Sequence, residues 1–301
     1  MKKFFLFAAV ALMAASCTSD PDTLHESAVT NPEPTQVVLT FSPYQMEAMT
    51  RTGSVPGDSV AGSRRAPTTR AATSISSVVT HLDVWLYEGG AEVAAIHQDT
   101  DTDGFGSVSV VLDKRKTYTL YAVGHRASGA ATLADGIISF PDDKVTHSMY
   151  CTVDFTPSTA ASLNCEMQRI VAQFHFETTD AVPDDVAKMR FTLGSVYDRW
   201  SVTDGATHSL DRVSTFDGFN KREDGTVGFN LYAIATDEQT LHTVTVEALS
   251  ATNEVLQSRT FQDVPLRNGY KTTYQGVFFT NTSATATFTV GDWSEFDVTT
   301  F

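Results

Sequence analysis

The first residue in this chain whose type and position indicate chemistry is Cys17. It directly follows three small residues, Ala14 to Ser16, which end a short apolar run from Phe4 to Met13. Two lysines stand just before that run. A basic start, a short apolar stretch and a small-residue cleavage site are typical of a secretory signal peptide, and the stretch is too short to span a bilayer. The sequence therefore predicts export, with residues 1–16 as the signal peptide.

A cysteine at this position resembles the lipobox of bacterial lipoproteins, in which the thiol is acylated and the cysteine becomes the new N-terminus. Ala14 stands where leucine is commonest in that motif. Asp20 and Asp22 resemble the signals that send some lipoproteins to the outer face of the outer membrane. The resemblance implies that lipid on Cys17 attaches the protein to the cell outer membrane, exposed at the surface. A plain secretory signal with an incidental cysteine is the alternative.

Four arginines lie in a segment between Thr50 and Ser74 that is rich in Gly, Ser, Thr, Pro and Ala. Only Asp58 opposes their charge, in a chain that is otherwise acidic. Trypsin-like proteases need extended, mobile backbone around a basic residue, so this segment is a candidate for proteolytic maturation. We favour Arg70, because it lies closest to the predicted folded part, and an ordinary solvated linker is the alternative. The candidate residues are Arg51, Arg64, Arg65 and Arg70.

Two further cysteines, Cys151 and Cys165, follow in the middle of the chain. In an oxidising compartment they can pair, and closing a loop of that length contributes about 3 kcal/mol. Two buried free thiols are the favoured alternative. The sequence leaves both open.

The stretch from Asp99 to Gly104 (DTDTDG) matches the opening of an EF-hand calcium loop. That loop needs a bidentate Glu at its twelfth position, where this chain has Val110, so a solvated turn is favoured. The eight histidines show no HxxxH or HxH spacing, and no G-x-S-x-G nucleophile elbow is present. We expect no metal site, no cofactor and no catalytic residue.

The overall charge limits the partners of this chain. Its 301 residues carry a formal net charge of −15, which argues against a nucleic-acid-binding surface, because such surfaces cluster Lys and Arg. The same charge opposes electrostatic attachment to anionic lipid, so attachment depends on acyl chains, each CH₂ of which contributes roughly 0.8 kcal/mol when buried. With 42% hydrophobic residues, the chain can form one large domain or two medium ones.

The elements that position these residues have the two-residue period of β-strands. Short strands recur from Ser77 onwards, with turn residues between them and without a 3.6-residue period, which predicts β-sandwiches. A β-rich run at residues 36–41 predicts an earlier, separate strand. We predict an all-β chain with two tandem sandwiches. The predicted parts are a tether and pro-segment over 17–74, an N-terminal sandwich over 75–160 and a C-terminal sandwich over 161–301.

Several stretches resemble the fimbrillin superfamily, whose members are subunits of lipoprotein-derived (type V) pili. ISSVVTHLDVWLYEGGAEV (75–93) and KRKTYTLYAVGH (114–125) resemble its N-terminal domain. The segment 167–200 resembles the opening of its second domain, with Arg169 in the place of the usual basic residue. VPLRNGYKTTYQGVFFT and GDWSEF complete a resemblance that covers Ser77 to Phe301.

This resemblance implies a transthyretin-like sandwich in each half and assembly by donor-strand exchange, in which a strand of one subunit fills a groove in its neighbour. Residues 36–41 would occupy that groove until cleavage after one of the arginines frees them. The implied protein is a fimbrial subunit or anchor lipoprotein that supports adhesion, with other fimbrial subunits and a host receptor or glycan as partners. Anchor subunits keep the lipid, whereas stalk and tip subunits lose it.

A surface glycan-binding lipoprotein of a polysaccharide-uptake system is the main alternative. Trp85, Trp200 and Trp293 offer aromatic faces for stacking on sugars, although a lone tryptophan in a sandwich usually packs in the core. Neither alternative requires an enzyme, and we expect none.

Overall fold

The computed structural model describes residues 31–44, 74–157, 162–280 and 287–292 of the chain. The signal peptide, Cys17, the four arginines and Trp293 lie outside these ranges, so the predictions made for them stay predictions. Among the described residues, no helix has the length and apolar character needed to cross a membrane.

The described residues form strands joined by turns, with 3-10 turns at Ile75–Ser77 and Pro141–Asp143. The all-β prediction is confirmed. The strands are β1 (Pro34–Pro43), β2 (His81–Glu88), β3 (Ala91–Asp99), β4 (Ser107–Asp113), β5 (Tyr118–His125), β6 (Thr132–Ala134), β7 (Ile137–Ser139), β8 (Met149–Phe155), β9 (Ser162–Arg169), β10 (Val171–Thr178), β11 (Lys188–Ser201), β12 (Gly205–Asp217), β13 (Gly228–Ile234), β14 (Thr240–Leu249), β15 (Val255–Leu266), β16 (Tyr270–Gly276) and β17 (Thr287–Asp292).

The first sheet runs in the order β3-β2-β5-β8-β9-β1-β4. Alternate residues of these strands enclose one apolar core, as the period of two requires. From β2, for example, Leu82, Val84 and Leu86 enter this core fully buried. Strands β8 and β9 connect the two parts of the path through only two residue pairs in register, Met149 with Arg169 and Tyr150 with Gln168.

The second sheet follows the path β15-β14-β11-β13-β10-β16-β17, with β12 and β7 also paired to β11. Strand β11 changes partners at a bulge between Leu193 and Val196, pairing with β14 before it and with β13 and β7 after it. At the bulge, Ser195 has a φ of 53°, and its backbone N–H donates to Asp211 Oδ1 at 2.8 Å. A bulge of this kind redirects a strand and allows it to serve two parts of a sheet.

A second apolar core lies within this sheet and is rich in phenylalanine. Phe176 is 3% exposed and meets the rings of Phe191 and Phe278 edge to face, at centroid distances of 5.6 and 5.4 Å. A third cluster joins residues of the first sheet, such as Trp85 and Tyr150, to Ile170 and Ile234. The two sheets are consistent with β-sandwich domains, and the predicted boundary at residue 160 stays a prediction, although β9 beyond it pairs in the first sheet.

We expect Phe176→Ala to destabilise the chain by about 3–5 kcal/mol, because it removes a buried aromatic side chain and leaves a cavity. Urea unfolding of the two proteins measures the difference. Val213→Ala, at a position 59% exposed, is the matched control and should change the free energy of unfolding by less than about 0.5 kcal/mol. Equal effects of the two substitutions would contradict the position of Phe176 in the core.

Candidate functional site

The N-terminal strand β1 lies between two strands from later in the chain. It runs antiparallel to β4, from Pro34 opposite Asp113 to Thr40 opposite Ser107. On its other side it runs parallel to β9, from Val38 beside Ser162 to Pro43 beside Met167. Both edges of β1 are therefore hydrogen-bonded. The predicted early strand is present, and it occupies an interior position of the first sheet.

One face of β1 belongs to the first core. Val37 and Leu39 are 0% exposed and Phe41 is 5% exposed, whereas Val38 and Thr40 between them are only partly buried. Complete burial of an aliphatic or aromatic side chain of this size contributes roughly 1.5–3 kcal/mol. The three side chains thus anchor β1 by alternation, the pattern that a strand with one buried face requires.

The slot that holds β1 has two apolar walls. On β4 the wall consists of Val108, Val110 and Leu112, and on β9 it consists of Cys165 and Met167. Within the described chain, β1 is the only strand that pairs with β4. Loss of β1 without replacement would therefore leave an apolar groove and two unpaired edges, which is the kind of surface that recruits another strand.

The chain leaves β1 and re-enters the fold close to the same point, Gly106. At the exit, Phe41 N–H donates to Gly106 O at 2.9 Å. At the re-entry, Ile75 packs so closely that a Cβ added to Gly106 would lie 2.4 Å from its Cγ2. Gly106 also has a φ of +87°, which favours glycine. Phe41 near the end of β1 and Ile75 at the re-entry thus both lie beside Gly106.

The re-entering segment is held independently of β1. Arg126 donates from Nε to Val78 O at 2.7 Å and from Nη2 to Ser77 O at 3.0 Å. His147 donates from Nδ1 to the same Val78 carbonyl at 3.1 Å. The side chains of Ile75 and Val78 are buried in the first core. A break in the chain before Ser74 would leave this anchorage intact.

Burial and positive charge keep His147 neutral. It is 7% exposed, and Arg169 Nε donates to its Nε2 at 2.8 Å, so the proton of the ring is on Nδ1. Burial, with the charges of Arg169 and Arg126, lowers the pKa of His147 to about 3. Burial also lowers the pKa of Arg169 to about 10. Arg169, the basic residue of the fimbrillin resemblance, therefore supports the histidine that holds the re-entering chain.

A buried carboxylate with histidine partners lies on the other face of β2. Asp83, 2% exposed, accepts from His97 Nδ1 at 2.7 Å, His125 Nε2 at 3.0 Å and Ala131 N–H at 3.0 Å. His81 stacks between His97 and His125 with ring centroids 5.4 Å from each. Burial, aided by the other two rings, lowers the pKa of His81. His97 and His125 are thus held by hydrogen bonds within the fold, whereas the buried Nδ1 of His81 has no hydrogen-bond partner among the described residues.

The other candidate sites have structural roles. In the DTDTDG stretch, Asp99 Oδ1 accepts from Thr102 Oγ1 at 2.9 Å and from Asp101 N–H at 3.1 Å, so the loop closes on itself. In the described ranges, no group of three or more His, Cys, Asp or Glu side chains has an arrangement that could hold a metal ion. Trp85 is buried, and Trp200 packs against Tyr150 with ring centroids 5.5 Å apart. Trp85 therefore offers no ring face to a sugar, whereas Trp200 is only half-buried.

The residues that shape the site were only partly visible in the sequence. The alternation of Val37, Leu39 and Phe41 indicates a strand with one buried face. Gly106 follows an aspartate-rich loop and carries no signal beyond that of a turn residue. Arg126 directly follows β5, and His147 lies just before β8. Nothing in their spacing indicates that both bind Val78 O.

The sequence profile of one family matches residues 142–299, more than half of the chain. That family is described as a family of unknown function (DUF6562). The chain belongs to this family. The matched segment includes β8 to β17 and leaves β1, β4 and Gly106 outside it. No curated protein matches the chain.

Solved structures share the fold at low sequence identity. A "putative adhesin" from Bacteroides thetaiotaomicron VPI-5482 is 10% identical, with a TM-score of 0.51 over 88% of this chain and 98% of that one. A structure from the same organism described as "putative polysaccharide binding proteins (DUF1812)" is 11% identical, with a TM-score of 0.50 over 86% and 96%. The fimbrial anchor protein Mfa2 from Porphyromonas gingivalis is 11% identical, with a TM-score of 0.47 over 86% and 98%. These similarities show the fold alone, and the last is too distant to carry an argument.

Gly106→Ala tests the close approach of exit and re-entry. We expect it to lower the free energy of unfolding by about 2–3 kcal/mol, through backbone strain plus the clash with Ile75. Gly104→Ala is the control, because Gly104 also has a positive φ, +75°, but an added Cβ would meet nothing within 4 Å. It should cost about 1 kcal/mol. Equal losses in urea unfolding would show that the contact with Ile75 is unimportant.

The depressed pKa of His147 predicts a loss of stability in acid. The unfolded chain binds a proton at His147 below pH 6.5, whereas the folded chain does so only below about pH 3. Between these values the unfolded state binds more protons, so the free energy of unfolding decreases as the pH is lowered, by at most about 1.4 kcal/mol per pH unit. In His147→Gln this contribution is absent. The stability gap between the two proteins should therefore narrow from pH 7 to pH 4, and parallel curves would contradict the prediction.

Proposed function

We propose that this chain is a fimbrial subunit or anchor lipoprotein of the cell outer membrane, assembling by donor-strand exchange and supporting adhesion. The observation that carries the proposal is the position of β1. This strand fills a slot between β4 and β9, and the chain joins it to the rest only through residues 45–73. Residues 45–73, with their four arginines, thus connect β1 to a fold whose re-entering segment is held by contacts that do not involve β1.

The slot explains why replacement, rather than simple loss, is the proposed event. Strand β4 has its described sheet partner in β1, and Val37, Leu39 and Phe41 complete the first core. A strand from another subunit with the same alternation would restore both ladders and the buried face, which is the principle of strand addition. Other fimbrial subunits are therefore the proposed partners.

Cleavage would make the exchange possible. After a cut at Arg70, the anchored part would begin close to Ser74, where Arg126 and His147 hold the following carbonyls. The segment released would contain β1 together with Cys17 and its lipid. A cut molecule would act as a subunit of the fibre, whereas an uncut molecule would stay an anchor. Cleavage at Arg51, Arg64 or Arg65 would have the same topological effect.

The solved structures support an adhesive role by analogy of fold only. The relative with a TM-score of 0.51 is described as a "putative adhesin". The description of another as "putative polysaccharide binding proteins" favours glycan binding as a second candidate function. The buried Trp85 weakens that second candidate, because it removes one of its three proposed stacking surfaces, and the half-buried Trp200 offers only part of another. Glycan binding predicts a shift in mobility with polysaccharide and no strand uptake.

A labelled strand peptide tests the proposal directly. The probe is a fluorescent peptide with the sequence of residues 34–43, PTQVVLTFSP, added to the full chain before and after digestion by an arginine-specific protease. We expect SDS-resistant uptake only after digestion, because the intact tether keeps β1 in the slot. A peptide with Asp in place of Leu39 is the control and should fail, since it places a charge in the core.

Two outcomes would contradict the proposal. The first is a chain that is cut between residues 45 and 73 and takes up neither peptide. The second is equal uptake of both peptides, which would indicate non-specific adsorption. Mass spectrometry of the cell-surface protein then separates the two roles, because an anchor begins with acylated Cys17 and a processed subunit begins near Ala71.

A further inference from the structure

Two buried thiols lie on neighbouring strands beside the β1 slot. Cys151 lies on β8 and Cys165 on β9, and both side chains belong to the first core. They are 7% and 0% exposed, both are free thiols, and each is close enough to change the pKa of the other. Neighbouring strands of one sheet can bring two such thiols within the range of a disulfide bond.

The pair lies where β9 depends most on β1. Cys165 is in parallel register with Phe41, so the side chain of Phe41 lies beside it on the core face. Strand β9 pairs with β8 only at Arg169 and Gln168. Within the described chain, residues 162–167 of β9 have their ladder with β1 alone. Departure of β1 would therefore leave most of β9 without a hydrogen-bonded neighbour.

We propose that Cys151 and Cys165 are a redox-active dithiol that closes into a disulfide between β8 and β9 and holds the wall of the slot in place when β1 leaves. This inference rests on the proposed function, because it requires β1 to be exchanged. It assigns to the two buried thiols an oxidation to a disulfide that occurs only when β1 has left the slot.

The chemistry is thiol–disulfide exchange with a small disulfide such as oxidised glutathione. The thiolate of one cysteine attacks a sulfur of that disulfide and releases one glutathione thiolate. The second cysteine then attacks the mixed disulfide and releases the other. The protein loses two protons and two electrons, and one oxidised glutathione becomes two reduced molecules.

Strand β1 controls access to this reaction. While β1 is in place, Cys165 is buried beside Phe41 in the first core, and the hydrogen bond with Cys165 together with burial raises the pKa of Cys151. The hydrogen bond from Cys151 lowers the pKa of Cys165, so Cys165 is the better nucleophile of the two. It is 0% exposed, however, so an oxidant in solution does not reach it and the pair stays reduced. When β1 leaves, solvent and oxidant reach the core face of β9. The disulfide then ties the middle of β9 to β8 at a point beyond their two registered pairs.

The test follows strand exchange and oxidation in the same sample. The full chain is cut with the arginine-specific protease and incubated with the fluorescent 34–43 peptide and oxidised glutathione. Intact mass and peptide mapping then report the thiols. We expect the uncut chain to keep both thiols, and we expect the cut, exchanging chain to lose two hydrogens and yield one cross-linked peptide joining Cys151 to Cys165.

A double variant, Cys151→Ala with Cys165→Ala, tests the role of the bond. After cleavage, we expect it to lose its capacity for peptide uptake about tenfold faster than the oxidised parent, because its β9 is not tied down. Equal rates would overturn the inference. The uncut variant provides the control for folding, and it should bind no peptide.

The failures of the two proposals are distinguishable. Peptide uptake with both thiols still free, or each carrying its own glutathione, overturns the dithiol and leaves strand exchange standing. Absence of peptide uptake from the cut chain overturns strand exchange, and with it the dithiol. A cross-link that forms as fast in the uncut chain overturns the control of access by β1.

Discussion

The interaction on which the first sheet depends is the double ladder of β1. One strand from the beginning of the chain joins β4, which is otherwise at the end of the sheet, to β9, which begins more than a hundred residues later. Its three inward side chains complete a core that the later strands leave open. Since β1 supplies both hydrogen bonds and buried side chains, the sheet needs a strand in this position. These interactions do not require that strand to be covalently joined to the rest of the chain.

The rest of the fold separates this dependence from the anchorage of the chain that follows. The side chains of Ile75 and Val78 in the re-entering segment are buried, although this segment forms no strand of the sheet. Arg126 and His147 both donate hydrogen bonds to its backbone carbonyls. In the second sheet, no comparable slot is visible in the described residues. Strand β11 there bends at Ser195 and serves two sets of partners within one continuous chain. The first sheet thus depends on a strand from the beginning of the chain, whereas in the second sheet a bulge lets one strand pair with two sets of partners.

Sequence periodicity was sufficient for the fold class and for the identity of most strands. It also indicated the early strand, because Val37, Leu39 and Phe41 alternate clearly. It did not show that the alternating run from Cys165 to Asp180 divides at Ile170, where β9 ends in one sheet and β10 begins in another. An alternation of side chains is the same whether the next residue pairs with β8 or with β13, so local pattern carries no record of the partner.

The contacts around the slot were beyond sequence reasoning for a related reason. The approach of Gly106 to Ile75, the shared acceptor of Arg126 and His147, and the proximity of Cys151 to Cys165 all join residues distant in sequence. Each depends on how the strands and turns of the first sheet close around its core. The amino-acid sequence gives residue types and local periodicity, but it does not give the spatial distances between strands.

The direction of β1 has a consequence for any assembly built on its slot. Because β1 runs antiparallel to β4 and parallel to β9, the two walls present different hydrogen-bonding patterns, and a strand inserted backwards would meet the wrong pattern on each side. Each joint in a proposed fibre would then have the same polarity. The fibre would have two unlike ends, and growth by strand insertion would be confined to one of them.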